Sequence, residues 1–509
     1  MSDLVVRTEC PTCAASLNFT EGTNALRCRY CGSNLLVTGR KQVLSYYVAP
    51  KVDASDAVAA AKAAHETGRG PYRIERTRLY FIPYYRLTGH DFEWQLAPPR
   101  PGQGHIYLPG TLYPASSDEW ASGGAAEDFV STLRWVGDLL GSVFAGGGKT
   151  DSKSPNIPAD PKRWEPETPR QAGPTVSYEN SNRMGIGLLQ SNHEILFRDR
   201  YVEKNFVACQ LQGFDVYSLG VRPAVLRLQL FRRETLEATG KIVEPDITPD
   251  AALAQGMKTA GLYRILYRTV IGRILSLIYF PFWVVEVERQ GRSMLTILDG
   301  VSKNAIKLDA PLSLYASLDN KVVGDSETVG FRPLTCPNCG WDLPVNPDDV
   351  IFVCSSCNRA WHIHRSDLYE VPHQIAERPS SGKKQPAKYL PFWVLETEIE
   401  ENLSFRFFLP AFRYRRLKFL SNLARNLSRQ QPTYAVLTGE RPDLHGCYYD
   451  LEDAALLAQF TYAGLTSRRS EDLRTAPATK LRLTGGTLTW FPFKLEGNAL
   501  RDPFTGTPL

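Results

Sequence analysis

Two groups of four cysteines with the same spacing constrain the fold of this 509-residue chain more than any other feature. The pattern CxxC-x14-CxxC occurs twice, and each cysteine of the second group lies 326 residues after its counterpart in the first. A CxxC turn places two thiolates on one side of a short loop, and two such turns close a tetrahedral four-thiolate metal site. The spacing therefore predicts two structural zinc sites, with ligands Cys10, Cys13, Cys28 and Cys31 in the first and Cys336, Cys339, Cys354 and Cys357 in the second.

Both sites are expected to be closed. Four thiolates saturate tetrahedral zinc and leave no position for a reactive water, so metal-assisted hydrolysis is not expected there. Iron in a rubredoxin-like site is the alternative metal. His362 and His364 alternate along a predicted strand after Cys357, and we expect them at the surface or beside the ligands rather than on the metal. The two remaining cysteines, Cys209 and Cys447, are expected to be buried.

The composition limits the classes of protein to which this chain can belong. The net charge of +5 is small for this length and argues against a surface that is basic throughout. The use of cysteine suits a reducing cytosol, and the first residues, MSDLVVRTEC, lack the regions of a signal peptide. The apolar run 261–280 contains Arg264, Arg268 and Arg273, each costing about 2.5–3.5 kcal/mol near a bilayer centre. This run predicts a buried helix rather than a membrane span.

Four short segments repeat a pattern of aromatic, apolar, proline and aromatic residues, which we call the Pro-aromatic boxes. They are residues 81–85 (FIPYY), 279–283 (YFPFW), 389–393 (YLPFW) and 490–494 (WFPFK). Strand-like runs and turns follow, so each box predicts a β-hairpin with proline at the first position of its strand. The aromatics could form a ligand-stacking surface, but burial in a hairpin core is the favoured interpretation.

These features predict an α+β protein with two four-cysteine zinc ribbons and repeated helix/β-hairpin modules. A helix with N-terminal capping is predicted over residues 53–67. The predicted domains are zinc ribbon 1 (1–40), module 1 (41–144), a Gly/Pro-rich linker (145–176), module 2 (177–330), zinc ribbon 2 (331–370) and modules 3 and 4 (371–509).

The ribbon followed by LYFIPYYRLTG, IYFPFWVVEVE and KYLPFWVLETE resembles a family of bacterial TFIIB-type zinc-ribbon proteins with "YLPFW" hairpin segments. The resemblance covers about residues 8–95, 278–300 and 331–412, and it carries over only the eight cysteine ligands. It implies partners among PspA-like or SPFH-like proteins of membrane-stress systems. Several family members carry transmembrane helices. This sequence departs from them because it has no credible span and has a second ribbon.

The basic run 413–429 is the strongest interaction candidate. Leucines at 417, 420, 423 and 427 recur at helical spacing, which predicts a basic amphipathic helix. Such a helix suits anionic lipid, nucleic acid or an acidic protein, whereas the alternative is an ordinary helix with a solvated basic face. The candidate interaction residues are Arg413, Arg415, Arg416, Lys418, Arg425 and Arg429.

No HExxH, GxSxG or dinucleotide-binding motif is present, so the sequence favours a non-enzymatic protein. The favoured function is a cytoplasmic zinc-binding scaffold or adaptor that docks other proteins, in a multi-protein complex or at the inner face of the membrane. A nucleic-acid-binding protein that reads through its ribbons is the alternative, although no extended basic stripe is evident. A third hypothesis is an enzyme whose site forms only in the fold.

Overall fold

A computed structural model describes residues 4–38, 43–66, 71–96, 195–214, 227–257, 265–319, 330–364, 367–378, 387–399, 403–414, 417–466, 481–496 and 499–504. The predicted linker 145–176 lies outside these residues, as do Arg415 and Arg416.

The described residues form a strand-rich α+β protein. The strands are β1 Val5–Glu9, β2 Ser16–Thr20, β3 Ala25–Arg27, β4 Asn34–Thr38, β5 Leu44–Val48, β6 Tyr72–Leu96, β7 Ile195–Val207, β8 Arg227–Leu230, β9 Lys241–Ile242, β10 Ile265–Arg289, β11 Arg292–Asp299, β12 Ala305–Ala310, β13 Gly330–Pro333, β14 Ile351–Val353, β15 Ala360–His364, β16 Asp367–Val371, β17 His373–Ile375, β18 Ala387–Ile399, β19 Leu403–Pro410, β20 Leu481–Glu496 and β21 Ala499–Arg501. The helices are α1 Ala54–Glu66, α2 Arg233–Glu237, α3 Pro249–Met257, α4 Ser313–Asp319, α5 Leu417–Gln430 and α6 Leu451–Thr466.

The chain divides into two compact units. The first comprises Met1–Gly89, Tyr201–Met257 and Gly272–Leu368, and the second comprises His90–Arg200, Lys258–Ile271 and Tyr369–Leu509. Both cysteine groups belong to the first unit, and the basic run belongs to the second.

A ten-stranded sheet provides the framework of the first unit. Its strand order is β12-β11-β10-β5-β8-β1-β2, and β6 pairs with β7, β9 and β10. One face packs against small residues of α1 and α3, including Ala57, Ala61 and Ala252. The other face packs with residues around the first cysteine group and with Leu314 and Leu318 of α4. Long strands with apolar residues on both faces are therefore buried between two layers.

A five-stranded sheet forms the core of the second unit, with strand order β17-β20-β18-β19 and β21 beside β20. Helix α5 packs against β19 and α6, and α6 packs against β18 and β19. Of the predicted hairpins, those that begin at the second and third boxes are confirmed as β10–β11 and β18–β19. Gln290 and Gly291 form the first turn with φ of 53° and 75°, the backbone that a two-residue hairpin turn requires.

Every described aromatic of the four boxes is buried, as the core interpretation predicts. In three boxes the proline carbonyl accepts a hydrogen bond from the first residue after the neighbouring strand ends. The donors are Ala208 to Pro83 at 2.8 Å, Gly300 to Pro281 at 2.9 Å and Ala411 to Pro391 at 2.9 Å. The predicted position of proline is wrong, because each proline lies inside a long strand. Proline is tolerated there because the carbonyl groups of Ala208, Gly300 and Ala411 already accept N–H groups from the segments that lead into the helices, so a donor on the proline would find them occupied.

The same three boxes also form a hydrogen bond with the chain just before a helix begins. The last aromatic of each donates to the carbonyl just before the helix N-cap: Tyr85 to Ile247 at 2.8 Å, Trp283 to Val52 at 2.9 Å and Trp393 to Tyr449 at 3.0 Å. The caps are Thr248, Asp53 and Asp450, whose side chains accept the N–H of Ala251, Asp56 and Asp453. The helix predicted over residues 53–67 is thereby confirmed as α1, with its cap at Asp53.

The helix predicted over residues 261–280 is wrong. The described part of this run is extended and belongs to β10, which continues to Arg289. A continuous apolar run fits a fully buried strand as well as a buried helix, and the many β-branched and aromatic residues favour the strand.

Candidate metal centres

Four CxxC turns with the same backbone geometry build the two cysteine groups. In each turn the first cysteine carbonyl accepts an N–H from the residue four positions later, and its own N–H donates to the residue five positions later. For the first turn these bonds are Ala14 to Cys10 at 2.8 Å and Cys10 to Ala15 at 2.9 Å. The residue after the second cysteine is always left-handed, with φ of 57° at Ala14, 76° at Gly32, 76° at Gly340 and 60° at Asn358. The backbone thereby holds both sulfurs of each turn on one side.

The sulfur atoms meet in two clusters. In the first, Sγ of Cys10 lies 3.8 Å from Sγ of Cys31, and Sγ of Cys13 lies 3.8 Å from Sγ of Cys28. In the second, the Cys336–Cys357 and Cys339–Cys354 distances are both 3.5 Å. All four sulfurs of each cluster lie within 4.8 Å of one another. Thiolates about 2.3 Å from a tetrahedral ion are separated by roughly 3.8 Å, so the donor set and its spacing fit a four-thiolate metal site.

The two clusters differ in exposure. Each has a buried first cysteine per turn, but the second cysteines, Cys13 and Cys31, are exposed whereas Cys339 and Cys357 are half-buried. The Ser33 hydroxyl lies 3.2 Å from Sγ of Cys31. This hydroxyl, together with the backbone N–H of Ser33, lowers the pKa of Cys31 to about 6, which favours the thiolate that a metal ligand requires. Cys209 and Cys447 are buried outside both clusters, as predicted.

The two ribbons share one sheet although 326 residues separate them in sequence. β4 of the first ribbon pairs with β13, the strand that leads into the second, in a sheet of order β13-β4-β3. Asn34 makes two hydrogen bonds between the ribbons. Its main-chain carbonyl accepts the Leu334 N–H at 2.9 Å, and its side-chain amide donates to the Leu343 carbonyl at 2.9 Å. Leu36 of ribbon 1 and Trp361 of ribbon 2 lie in a common buried core. No pattern in the sequence indicated this pairing.

His362 and His364 lie on one side of β15, half-buried, with ring centroids 6.1 Å apart. Neither belongs to the second cysteine cluster, and among the described residues only the two groups of cysteines bring together side chains that could hold a metal ion.

The predicted basic helix begins later than expected, at Leu417, so Arg413 precedes it. Its four leucines are buried, and Lys418 and Arg429 are exposed. Arg413 lies over the Tyr448 ring, with its guanidinium carbon 5.4 Å from the ring centroid. Arg425 is half-buried over Trp94 at 5.6 Å. Burial lowers the pKa of Arg425, and the charge of Arg429 adds to the effect. Arg425 therefore contributes to the packing of the second unit in addition to carrying a positive charge.

A buried ionic cluster in the second unit was not predicted. Asp91 accepts from Arg268 at 2.8 Å and from Arg200 at 3.0 Å, and Glu93 accepts from Arg200 at 2.8 Å. Two acids face two guanidinium groups, so the opposite charges compensate each other within the buried cluster. Arg268 within the apolar run 261–280, and the alternating acids Asp91 and Glu93, were the signals that the sequence offered for it.

Comparison with known proteins gives no further information: no protein-family model matches the chain, and no curated protein or solved structure is significantly similar to it. Among the described helices, none has the length and apolar character needed to cross a membrane.

Proposed function

We propose that this chain is a non-enzymatic zinc-binding scaffold, in which two closed metal sites fix the ribbons and exposed surfaces dock other proteins. The observation that carries the proposal is the donor set of each cluster, four thiolates at tetrahedral spacing. Such a set fills the coordination shell of zinc and leaves no place for a substrate. The zinc sites would therefore supply folding free energy, and activity would lie on the surfaces that they support.

Metal analysis of the purified chain tests the zinc proposal. We expect about two zinc ions per chain, because each four-thiolate cluster holds one. Iron is the competing metal, and its thiolate-to-metal absorption bands distinguish it from colourless zinc. Cys447→Ser is the matched control, since Cys447 is a buried thiol outside both clusters. A clearly lower zinc content in the native chain, or loss of zinc in this control, contradicts the proposal.

We infer further that the body of the scaffold is built from repeated modules. The support is the shared set of hydrogen bonds, in which a box proline, the end of a neighbouring strand and a helix N-cap recur three times. The fourth box departs from this set, because Lys494 stands where the others have an aromatic donor. The combination of a ribbon with these boxes also supports membership of the bacterial TFIIB-type zinc-ribbon family, with PspA-like or SPFH-like proteins as proposed partners.

The basic surface around α5 is the proposed docking site. Its leucines are buried, so the helix offers charge to a partner and has no free apolar face to insert into a bilayer. The exposed Lys418 and Arg429 therefore favour an acidic protein surface. A location at the inner membrane face would then depend on the partner.

Charge reversal at both exposed positions tests this surface. Lys418→Glu with Arg429→Glu should abolish capture of the native partners, identified by affinity purification and mass spectrometry. Lys51→Glu with Lys62→Glu is the control, because both lysines are exposed and lie on the first unit. Equal capture by the two variants removes α5 from the proposal. Salt-sensitive binding of DNA or RNA, or binding to anionic vesicles by the purified chain, would instead support the nucleic-acid or membrane alternatives.

A further inference from the structure

The two cysteine groups contain the same kind of ligand in different surroundings. In the first group the second cysteine of each turn, Cys13 or Cys31, is exposed. In the second group the equivalent residues, Cys339 and Cys357, are half-buried and pack against the core that the two ribbons share. The first cysteine of each of the four turns is buried. Small solutes therefore reach two cysteines of the first group more easily than any cysteine of the second.

This difference in exposure bears on how the two groups react with an oxidant. The oxidation of a cysteine depends on its thiolate character and on its access to solvent. All eight cysteines must be thiolates when both groups hold a metal ion, so access is the property that distinguishes them. The first group therefore offers an oxidant two accessible thiolates, whereas the shared core partly covers the equivalent thiolates of the second group.

Each exposed cysteine of the first group also has a buried cysteine beside it. Sγ of Cys31 lies 3.8 Å from Sγ of Cys10, and Sγ of Cys13 lies 3.8 Å from Sγ of Cys28. The sulfurs of a disulfide are about 2.05 Å apart, so each pair has to approach by roughly 2 Å to form one. An accessible thiolate next to a second cysteine is the arrangement found in redox-sensing proteins, in which the second thiolate resolves the oxidised first one.

We propose that the first cysteine group is a redox switch, which releases its metal ion when a peroxide oxidises it, whereas the second group keeps its metal ion. The exposed thiolate of Cys31 takes one oxygen from hydrogen peroxide and becomes a sulfenic acid, and the other oxygen leaves as water. The Cys10 thiolate then attacks the sulfenic sulfur and displaces the second oxygen as water. Two thiolates, one peroxide and two protons thus give one disulfide and two waters. Cys13 and Cys28 can react in the same way.

Release of the metal follows from the number of ligands. After either disulfide forms, two thiolates remain in the first group, and a structural zinc site needs four ligands. The switch rests on the proposed zinc sites, because it requires a metal ion to release.

Titration of the full, zinc-loaded chain with hydrogen peroxide tests the switch. Metal analysis before the titration checks the zinc sites themselves, and a chain that purifies without zinc contradicts both the sites and the switch. A chelating dye that changes colour on binding zinc reports release. We expect about one zinc ion per chain to be released while the second remains bound, and dithiothreitol with added zinc should reverse the loss. Release of both ions together, or of neither, overturns the switch and leaves the zinc sites standing.

Peptide mapping by mass spectrometry identifies the oxidised residues on the same native chain, so no variant has to fold. We expect a Cys10–Cys31 or Cys13–Cys28 disulfide, and we expect all four cysteines of the second group to be alkylated after denaturation. A disulfide within the second group, or a sulfinic acid in place of the disulfide in the first, contradicts the proposed reaction. Cys447→Ser is the matched control, because Cys447 is a buried thiol outside both groups, and it should release zinc like the native chain.

Discussion

A buried group of one arginine and two glutamates joins the first ribbon to strand β6, and it provides the strongest test of what attaches the ribbon to the sheet. Arg86 of β6 is buried, with its side chain 5% exposed, and it contacts Glu21 and Glu203, whose side chains are 3% and 24% exposed. Glu21 lies in the turn between β2 and β3 of ribbon 1. The guanidinium reaches Glu203 at 3.1 Å, a separation worth about 5 kcal/mol before desolvation at an effective dielectric constant of about 20. Arg86 therefore joins the ribbon to the sheet through charge.

Replacing Arg86 with Met should lower the free energy of opening of this region by about 3–5 kcal/mol, because it leaves Glu21 buried beside a second acid without its cation. Hydrogen exchange with mass spectrometry measures this locally, without requiring the whole chain to unfold in one step. At about 1.4 kcal/mol per tenfold, amide exchange in peptides covering β2 and β3 should become roughly 100-fold faster or more.

Arg78→Met is the control on the same strand. Arg78 pairs with Asp319 at 3.0 Å, but both side chains are about one-third exposed, so its loss should cost about 1 kcal/mol or less. The double variant Glu21→Gln with Arg86→Met should recover part of the loss, since no buried charge is stranded at Glu21. The reasoning fails if Arg86→Met and Arg78→Met change exchange equally, or if the double variant is as destabilised as the sum of the two single variants.

Three further outcomes are expected. Cys354→Ser should leave about one zinc per chain by metal analysis and should speed amide exchange in β14 and β15, because metal affinity there is folding free energy. Trp393→Phe should cost about 1–3 kcal/mol in the second unit, measured by exchange in α6, because the buried Tyr449 carbonyl loses its indole donor. Burial, together with the charge of Arg413, lowers the pKa of His90 to about 4. Its unfolded pKa is about 6.5, so the stability that the neutral ring contributes is present above pH 6.5 and falls as the pH drops towards 4, by up to about 3 kcal/mol. His90→Gln should remove this component of the pH dependence of exchange in the second unit.

The local parts of the fold could be predicted from sequence because their determinants lie close together in the chain. The four CxxC turns need a left-handed residue after the second cysteine, and the sequence supplies Gly32, Gly340 and Asn358, which adopt that backbone readily, whereas Ala14 adopts it without such a preference. The cap of α1 follows from Asp53 and the alanines after it. The hairpin turn at Gln290 and Gly291 follows from the two strand-like runs on either side.

The remaining features depend on contacts between distant residues. Whether the run 261–280 is a strand or a helix is decided by pairing with strands elsewhere in the chain, and its apolar composition fits both. The partner of Arg268 is Asp91, at a sequence distance that no local pattern reveals. Basic residues at helical spacing predicted the exposed Lys418, but they could not show that Trp94 would lie beneath Arg425.

The pairing of β4 with β13 shows that the two cysteine groups belong to one packed structure. A lone ribbon must take its stability from its own metal, because so short a segment buries little apolar surface. Here Leu36 from the first ribbon and Leu334, Leu343 and Trp361 from the second occupy one core, so neither ribbon can open without exposing residues that the other covers. A metal ion bound at either cysteine group would therefore stabilise both ribbons. The two cysteine groups of equal spacing are thus parts of one packed structure, although most strands of the ten-stranded sheet lie between them in the sequence.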